Sequence, residues 1–287
     1  MIQLVRIRTE MAIPAAFRGI ERVAYNIELL KKQREKACNT KYKFEFTDIW
    51  GKAKPQLMKE ANYKCAYCEK PIGTSDKKGI QATSYADVEH YRPKKGGYEW
   101  LAYCYDNYLY ACEVCNRSYK KSFFPILNEK YETFKVNCDT IDTDLQAFAP
   151  NLTPDPLTEA EGMAWTDFEQ AHLAERPLLF NPYYDNPEDF LGYEYDLELN
   201  EVSVFVLSTI DNHQLYQIAL ESYYGLNRTN LLTDRYTHFR LFFDYKELLK
   251  MDISTSANQI CLAAIERMKE SKYPYSGMIR YFDKTYS

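Results

Sequence analysis

Two Cys-x-x-Cys pairs constrain the fold of this chain more than any other feature. They are CAYC (65–68) and CEVC (112–115), and 43 residues separate them. Two such pairs supply four thiolates, which close a tetrahedral zinc site with no position left for water. Because no coordination position is open, such a site is structural and not catalytic. The free energy of metal binding then adds to the free energy of folding. We therefore expect Zn²⁺ at Cys65, Cys68, Cys112 and Cys115; the alternatives are four unrelated thiols or one redox pair.

The other four cysteines are not expected to pair. The chain begins MIQLVRIRTE, which lacks the apolar core of a signal peptide, and no apolar run approaches the length of a membrane span. These features predict a cytoplasmic protein, in which metal binding is favoured over disulfides. The unpaired cysteines would be Cys38, Cys104, Cys138 and Cys261.

Charge is distributed unevenly along the 287 residues. Residues 1–130 carry 24 Lys and Arg against 15 Asp and Glu, whereas residues 131–287 carry 12 against 26. A basic front half places any contact with a polyanion there, although charge also drifts along chains without a functional reason. The acidic back half is a poor nucleic-acid surface and a better site for docking a partner protein.

Hydrophobic periodicity predicts helices on both sides of the cysteine-rich part. Apolar residues recur at helical spacing over 16–38 and 47–63, with Thr47 as a cap and Pro55 as a break. A strand is expected within 178–196, and helices over 209–227, 229–250 and 257–272, with Gly225 near the end of the first of these. The predicted fold class is α+β: a small zinc-stabilised module embedded in a mainly helical protein. Its predicted divisions are 1–63 (basic, helical), 64–130 (the module) and 131–287 (acidic, mainly helical).

The module also contains DVEHYRPK (87–94), which places one of the four histidines of the chain among acids and cations. An imidazole is mostly neutral at pH 7 and can accept a proton from water. Glu89 and Asn116 offer hard oxygen ligands that suit Mg²⁺ or Mn²⁺. A neutral amide at Asn107 can hydrogen-bond backbone on both sides and hold the loop that orients His90.

The segments CAYC, DVEHYRPK and YEWLAYCYDNYLYACEVCNRSYKKSFFP together resemble the HNH endonucleases that carry a double Cys-x-x-Cys zinc site. The resemblance is strongest to HNH proteins of bacterial anti-phage systems, the Septu PtuB family and its relatives, some of them associated with retrons. LMKEANYKCAYCE, RPLLFNPYYDNPEDFL and YGLNRTNLLTDR are also similar to that family. The resemblance implies a ββα-metal fold that hydrolyses nucleic-acid phosphodiester bonds.

The resemblance also implies roles for single residues. His90 matches the catalytic histidine, Asn107 the middle asparagine and Asn116 the last position of the motif. Glu89 stands where many members have aspartate, a change that adds a methylene and keeps an oxygen ligand. The implied catalytic residues are His90 and Asn107, and the implied Mg²⁺ or Mn²⁺ ligands are Glu89 and Asn116.

Side-chain alternation creates a difficulty at Glu89 and His90. Neighbours on a regular strand point to opposite faces, so Asp87 and Glu89 would share a face instead. We therefore expect the strand to be bent or bulged near residue 89, or to end there, with Pro93 adding irregularity just beyond.

Cations cluster around the motif in sequence and are expected to contact the phosphates that flank the cut. The alternative is a solvated basic surface. The predicted contacts are Arg92, Lys94, Arg117 and Lys120, with Lys95 and Lys121 beside them. The remaining histidines, which lack partner motifs, are expected to be ordinary core or surface residues: His172, His213 and His238.

The leading hypothesis is a metal-dependent HNH endonuclease acting on DNA, the effector of an anti-phage system. The resemblance implies an ATPase partner of the PtuA type, and a reverse transcriptase with its DNA product if a retron is involved. The acidic back half would dock this partner, or would be an acidic cap that suppresses cleavage until it is triggered. Two alternatives stay open. One is a ribonuclease-type toxin acting on host RNA, and the other is a zinc-binding adaptor without catalysis.

Overall fold

In the computed structural model, the described residues are 1–72, 85–158, 162–251 and 254–286. They form helices and two small antiparallel sheets, which confirms the α+β class. The α-helices are α1 (Gly19–Cys38), α2 (Lys54–Glu60), α3 (Asp142–Phe148), α4 (Trp165–Glu175), α5 (His213–Ala219), α6 (Thr229–Lys250), α7 (Thr255–Lys269) and α8 (Ser276–Thr285). The strands are β1 (Ala86–His90), β2 (Tyr108–Cys112), β3 (Leu191–Asp196) and β4 (Glu201–Val206).

Shorter helical turns complete the secondary structure. Two segments have the wider π-helical turn, π1 (Val114–Lys120) and π2 (Leu220–Tyr224). The 3₁₀ turns are Ala15–Phe17, Trp50–Ala53, Glu99–Leu101, Tyr105–Asn107, Ala149–Asn151 and Pro187–Asp189.

The hairpin of β1 and β2 is regular. Its register runs from Ala86 opposite Cys112 to His90 opposite Tyr108, with one residue facing one residue throughout. The bulge expected near Glu89 is therefore absent, and β1 ends one residue later, at His90. Helix π1 begins two residues after β2 ends, so strand, strand and helix follow one another. Residues 73–84 of the predicted module lie outside the described ranges.

The N-terminal helices differ from the prediction at the second one. Helix α1 lies within the predicted segment 16–38, but the segment 47–63 folds as a 3₁₀ turn followed by the short α2. Pro55 lies in the first turn of α2, where its missing N–H breaks no helical bond. Thr47 does not cap a helix; its backbone N–H donates to the Tyr103 hydroxyl at 2.8 Å.

The C-terminal half contains the predicted strand as β3, together with a partner strand, β4, that was not predicted although valine recurs at every second residue of EVSVFV (201–206). Helices α6 and α7 confirm the predictions for 229–250 and 257–272. Segment 209–227 contains α5 and π2, and Gly225 ends it in the left-handed conformation, with φ of +57°. A Cβ at Gly225 would meet the Tyr119 ring of π1 at 2.3 Å, so close approach also requires glycine there.

The hydrophobic core is continuous from Ile2 to Phe282, so the C-terminal half packs on the cysteine-rich part. A buried ion pair lies at this contact: the Lys64 ammonium is 3.0 Å from a Glu69 carboxylate oxygen, and both charged side chains are about 3% exposed. The C-terminal half covers this pair, because the same ammonium donates to the Tyr273 carbonyl at 2.8 Å and lies 3.2 Å from the Ser276 hydroxyl of α8. Removing the last third of the chain would take away these two partners of Lys64.

Arg92 is not a phosphate contact, contrary to the prediction. Its side chain is 1% exposed, and its Nε donates to a Glu175 carboxylate oxygen at 2.7 Å. The other Glu175 oxygen accepts from the Tyr98 hydroxyl at 2.7 Å and from the Tyr131 backbone N–H at 2.8 Å. Arg92 therefore fixes the segment after β1 to the end of α4.

A disulfide joins Cys38, at the end of α1, to Cys138. The expectation that neither residue pairs is therefore wrong. Sequence spacing could not indicate this pair, because 100 residues separate its members. The other two cysteines, Cys104 and Cys261, are buried free thiols, as expected. Among the described helices, none is both long and apolar enough to cross a membrane.

Loss of Glu175 should destabilise the protein strongly, because it leaves the Arg92 guanidinium buried without a counter-charge. We expect Glu175→Ala to lower the free energy of unfolding by about 3–5 kcal/mol. Urea denaturation followed by circular dichroism measures the change. Glu169→Ala, on the partly exposed side of α4, is the control and should change stability by less than about 1 kcal/mol. Equal effects of the two substitutions would contradict the assigned role of the buried pair.

Candidate functional site

The four predicted zinc ligands lie together. Cys65, Cys68, Cys112 and Cys115 are all buried, and their sulfur atoms lie within 4.8 Å of one another. The first pair forms a tight turn in which the Glu69 N–H donates to the Cys65 carbonyl and the Cys65 N–H donates to the Lys70 carbonyl, each at 2.9 Å. The second pair spans the end of β2 and the start of π1. The cluster thus joins a turn, a strand and a helix.

The cluster fits a tetrahedral metal ion. A zinc bound at about 2.3 Å to each sulfur places the sulfurs roughly 3.8 Å apart, and Cys68 Sγ lies 4.0 Å from Cys112 Sγ. Backbone N–H groups also point at the sulfurs: the Cys112 N–H lies 3.3 Å from Cys65 Sγ, and the Cys115 N–H lies 3.5 Å from Cys112 Sγ. Such donors stabilise thiolates, the form that binds metal.

Arg228 adds a positive charge to the cluster, and sequence reasoning missed it. Its guanidinium lies 3.5 Å from Cys115 Sγ, and the same nitrogen donates to the Gly225 carbonyl at 2.9 Å. Four thiolates around a divalent ion leave a net negative charge, which a neighbouring arginine offsets. Arg228 lies in YGLNRTNLLTDR, so the only signal was that segment's similarity to the family.

A cleft of about 630 Å³ lies beside β1, and it contains both proposed metal ligands and His90. Its wall carries both cations and acids. Its lining residues are Phe46, Asp48, Trp50, Gly51, Lys54, Asp87, Val88, Glu89, His90, Pro93, Lys94, Lys95, Asn116, Arg117, Lys121 and Ser122.

His90 is held in a single orientation at the end of β1. Its ring makes edge contacts with Trp50 and Tyr108, at centroid distances of 5.1 and 4.9 Å. Nε2 lies 3.0 Å from the Ala102 carbonyl oxygen. Because a carbonyl only accepts, Nε2 must carry the proton, which leaves Nδ1 free as the proton acceptor. Burial and the nearby Lys94 ammonium lower the pKa of His90 to about 3, so the ring is neutral at pH 7.

Glu89 points to the opposite face of β1, yet it reaches the same cleft. Its carboxylate forms an ion pair with Lys120 and lies 3.5 Å from the Tyr67 hydroxyl. Burial raises the pKa of Glu89 to about 7, even though Lys120 opposes the shift. One ammonium therefore leaves this carboxylate under-compensated, and a divalent cation would stabilise its charged form.

Lys120 is not available to a nucleic acid, contrary to the prediction. Its side chain is 0% exposed, and its ammonium also donates to the His90 carbonyl at 2.8 Å. Lys120 therefore connects π1 to the end of β1 on the side opposite to the His90 ring. Sequence spacing placed it one turn from Asn116, but the spacing could not show that this face is buried.

The two asparagines of the motif differ in their surroundings, since only the second lines the cleft. Asn107 is buried, and its amide bonds the Arg92 backbone on both sides, accepting from the N–H at 2.8 Å and donating to the carbonyl at 2.9 Å. This confirms the predicted backbone hydrogen bonding of Asn107. Asn116 lies in the first turn of π1 and lines the cleft. Within the described residues, no hydrogen bond engages its side-chain amide, so its oxygen is available to a ligand.

Lys94 and Arg117 do lie at the cleft, as a phosphate-binding role requires. The Lys94 ammonium lies 3.4 Å from the centroid of the Trp50 ring, a cation–π contact, and burial lowers the pKa of Lys94. Arg117 is exposed and forms a two-point ion pair with Asp87, at 2.7 and 3.0 Å. Asp87 is thus engaged at the rim.

Five cleft residues come from a part of the chain that sequence reasoning did not connect with the site. They precede the cysteine-rich part, and the 3₁₀ turn before α2 places one of them, Trp50, against the His90 ring. The five are Phe46, Asp48, Trp50, Gly51 and Lys54. No motif marks them. The other histidines do not line the cleft; His172 is buried and contacts Asp185 at 3.3 Å.

Substitution at the cluster should remove bound metal and destabilise the fold. We expect the purified chain to hold about one zinc, and Cys115→Ser to lose most of it and to unfold at a lower temperature. Cys261→Ser, at a buried thiol outside the cluster, is the control and should keep its zinc. Elemental analysis and thermal unfolding measure both effects. Equal zinc contents in the two variants would exclude this site.

Comparison with known proteins gives one relative. No protein-family model matches the sequence, and no solved structure matches it. The chain is 41% identical over 104 residues to a Septu protein PtuB from Bacillus mycoides (strain KBAB4). The match covers 32% of this chain and 32% of the relative, so the chain spans about a third of the length of the relative it matches. Over that third, the chain is a homologue of Septu protein PtuB, which supports the family to which the sequence motifs pointed.

Proposed function

We propose that this chain is a metal-dependent HNH endonuclease that hydrolyses nucleic-acid phosphodiester bonds, with DNA as the favoured substrate. The observation that carries the proposal is the shared cleft, in which a neutral histidine with a free Nδ1 lies beside an under-compensated carboxylate and an unengaged amide. β1, β2 and π1 are taken as the ββα-metal unit. Homology to a Septu PtuB protein supports a role in anti-phage defence.

His90 acts as the general base in this proposal. Its Nδ1 takes a proton from the attacking water, and the Nε2–H bond to the Ala102 carbonyl stabilises the imidazolium that forms. The edge contacts of Trp50 and Tyr108 keep the ring in place during the transfer. A pKa of about 3 describes the site without substrate. A bound phosphate brings negative charge, which raises the pKa of His90 toward the range of an effective base.

Glu89 and Asn116 are the proposed ligands of Mg²⁺ or Mn²⁺. One carboxylate and one amide oxygen are hard donors that leave positions open for substrate. The ion supplies charge stabilisation to the phosphate oxygens in the transition state. Asn107 is a positioning residue: it fixes the Arg92 backbone and so the turn after His90. Zn²⁺ at the four cysteines is proposed to be structural, since four thiolates leave no open position.

Cations around the cleft, half-buried at Lys94 and exposed elsewhere, bind the flanking phosphates. Lys94, Lys95 and Arg117 line the cleft, and Lys121 with Lys54 extends the positive rim. Contacts of this kind fix the register of the strand on the enzyme and make binding depend on salt. They carry little sequence information, so cleavage should show weak sequence preference.

A partner protein is proposed for the acidic C-terminal half. The PtuB homology supports an ATPase of the PtuA type; a retron reverse transcriptase with its DNA product is a further proposed partner. The β3–β4 hairpin presents exposed carboxylates at Glu194 and Glu198 on its surface. Opposite charges across an interface steer association.

Replacing the proposed base should abolish cleavage without unfolding the protein. Labelled plasmid, single-stranded DNA and total RNA are incubated with the protein and Mg²⁺ or Mn²⁺, with and without an ATPase of the PtuA type. We expect His90→Ala to reduce the cleavage rate by about 10²–10⁴-fold, and Asn116→Ala to reduce it as well. His213→Ala, outside the cleft, should cleave at the wild-type rate. Zinc content and thermal unfolding establish that each variant is folded. Undiminished cleavage by both cleft variants would overturn the assignment.

Charge reversal on the hairpin tests the partner proposal with the intact chain. We expect Glu194→Lys with Glu198→Lys to abolish co-purification with a co-expressed PtuA-type ATPase, because reversed charges repel the complementary surface. Glu10→Lys with Glu21→Lys makes the same charge change at exposed sites in the N-terminal half and should retain the partner. Equal retention by both double variants would remove the hairpin from the interface.

A further inference from the structure

Charged and aromatic residues alternate in KYKFEF (41–46), in which the charged residues are two lysines and one exposed glutamate, Glu45. The segment follows α1 and belongs to no helix or strand. The Tyr42 and Phe44 ring centroids are 6.0 Å apart. Phe44 and Phe46 are stacked at 5.6 Å with 10° between their planes. Because these contacts link every second residue, the three rings lie on one side of an extended segment. We call them the aromatic row (Tyr42, Phe44 and Phe46).

Lysines of α1 hold the backbone of this segment. The Lys36 ammonium donates to the Thr40 carbonyl at 2.7 Å and to the Tyr42 carbonyl at 3.1 Å. The Lys32 ammonium donates to the Glu45 carbonyl. These bonds fix the segment before any ligand arrives, so little conformational entropy is lost on binding.

The aromatic row runs into the cleft. Phe46 packs against the hydrophobic core and lines the cleft, while Tyr42 and Phe44 continue the row outward and are partly exposed. The Lys94 ammonium lies 5.8 Å from the Phe46 centroid, next to its contact with Trp50. The row is thus continuous with the site of His90, and cations accompany it.

A partly exposed row of rings beside cations matches the chemistry of an unpaired nucleic-acid strand. Bases stack on aromatic side chains while the phosphates pair with lysine and arginine. In a duplex, neighbouring base pairs already cover the faces of each base, so such a row gains little from it. Any base can use the row, because stacking does not depend on base identity.

We propose that the aromatic row binds unpaired nucleotides and leads the adjoining phosphodiester into the cleft, so that the enzyme prefers single-stranded nucleic acid. This proposal rests on the proposed nuclease function. DNA and RNA strands share the chemistry that the row recognises, and the 2′-hydroxyl distinguishes them elsewhere in the site.

Binding to matched substrates tests the row. The full chain carrying His90→Ala is titrated against fluorescein-labelled oligo(dT), oligo(U) and a DNA duplex of equal length, at one salt concentration, by anisotropy. We expect Phe44→Leu to weaken single-strand binding about tenfold and duplex binding by less than about twofold. Phe44→Trp should keep single-strand affinity, because it restores a stacking ring. Tyr245→Leu, at a partly buried tyrosine of α6, should leave both affinities unchanged.

The outcomes separate this proposal from the nuclease function. The proposal for the aromatic row is overturned if Phe44→Leu leaves single-strand affinity unchanged or weakens duplex binding equally. It is also overturned if Phe44→Trp unfolds at the normal temperature but does not keep single-strand affinity. If cleavage depends on His90 but Phe44→Leu has no effect, the nuclease function is supported and the role of the aromatic row is rejected. If the expected binding pattern is found in a chain that cleaves nothing, the aromatic row is supported and the nuclease function is rejected. Tighter binding of oligo(dT) or oligo(U) identifies the type of strand.

Discussion

The pairing of β1 with β2 is the interaction on which the whole site depends. At one end of this hairpin, Cys112 belongs to the four-sulfur cluster, and at the other end His90 faces Tyr108. Strands of five residues separate these ends by about 13 Å. The cluster therefore cannot take part in chemistry at His90, but it fixes the turn, the strand and π1 that hold the cleft residues. A metal ion bound at one end would stabilise the geometry at the other.

Regular pairing does not prevent Glu89 and His90 from serving the same cleft. Alternation sends the two side chains to opposite faces of β1, and the strand ends at His90, so the cleft wraps around its end. On one face, Lys120 of π1 holds Glu89. On the other, Trp50 and the Ala102 carbonyl hold His90. Both residues therefore line the cleft without a bulge in β1.

Local features were predicted better than long-range contacts. Motifs and periodicity predicted the four-cysteine cluster, the backbone hydrogen bonds of Asn107, and most helices. What could not be predicted depends on distant contacts. Arg92 and Lys120 were predicted to be surface cations, but both are buried, where they pair with Glu175 and Glu89 respectively. Trp50, Arg228 and the Cys38–Cys138 disulfide are brought to their partners only by tertiary folding, and no spacing rule links residues so far apart.

The central claim is that Glu89, and not its neighbour on the same face, Asp87, holds a divalent cation beside His90. Titration of the zinc-loaded chain with Mn²⁺, followed by electron paramagnetic resonance, tests it most directly. We expect Glu89→Gln to weaken Mn²⁺ binding at least about tenfold, because it removes the one charged ligand, and Asp87→Asn to leave the affinity unchanged. Loss of Mn²⁺ in Asp87→Asn with normal binding in Glu89→Gln would contradict it.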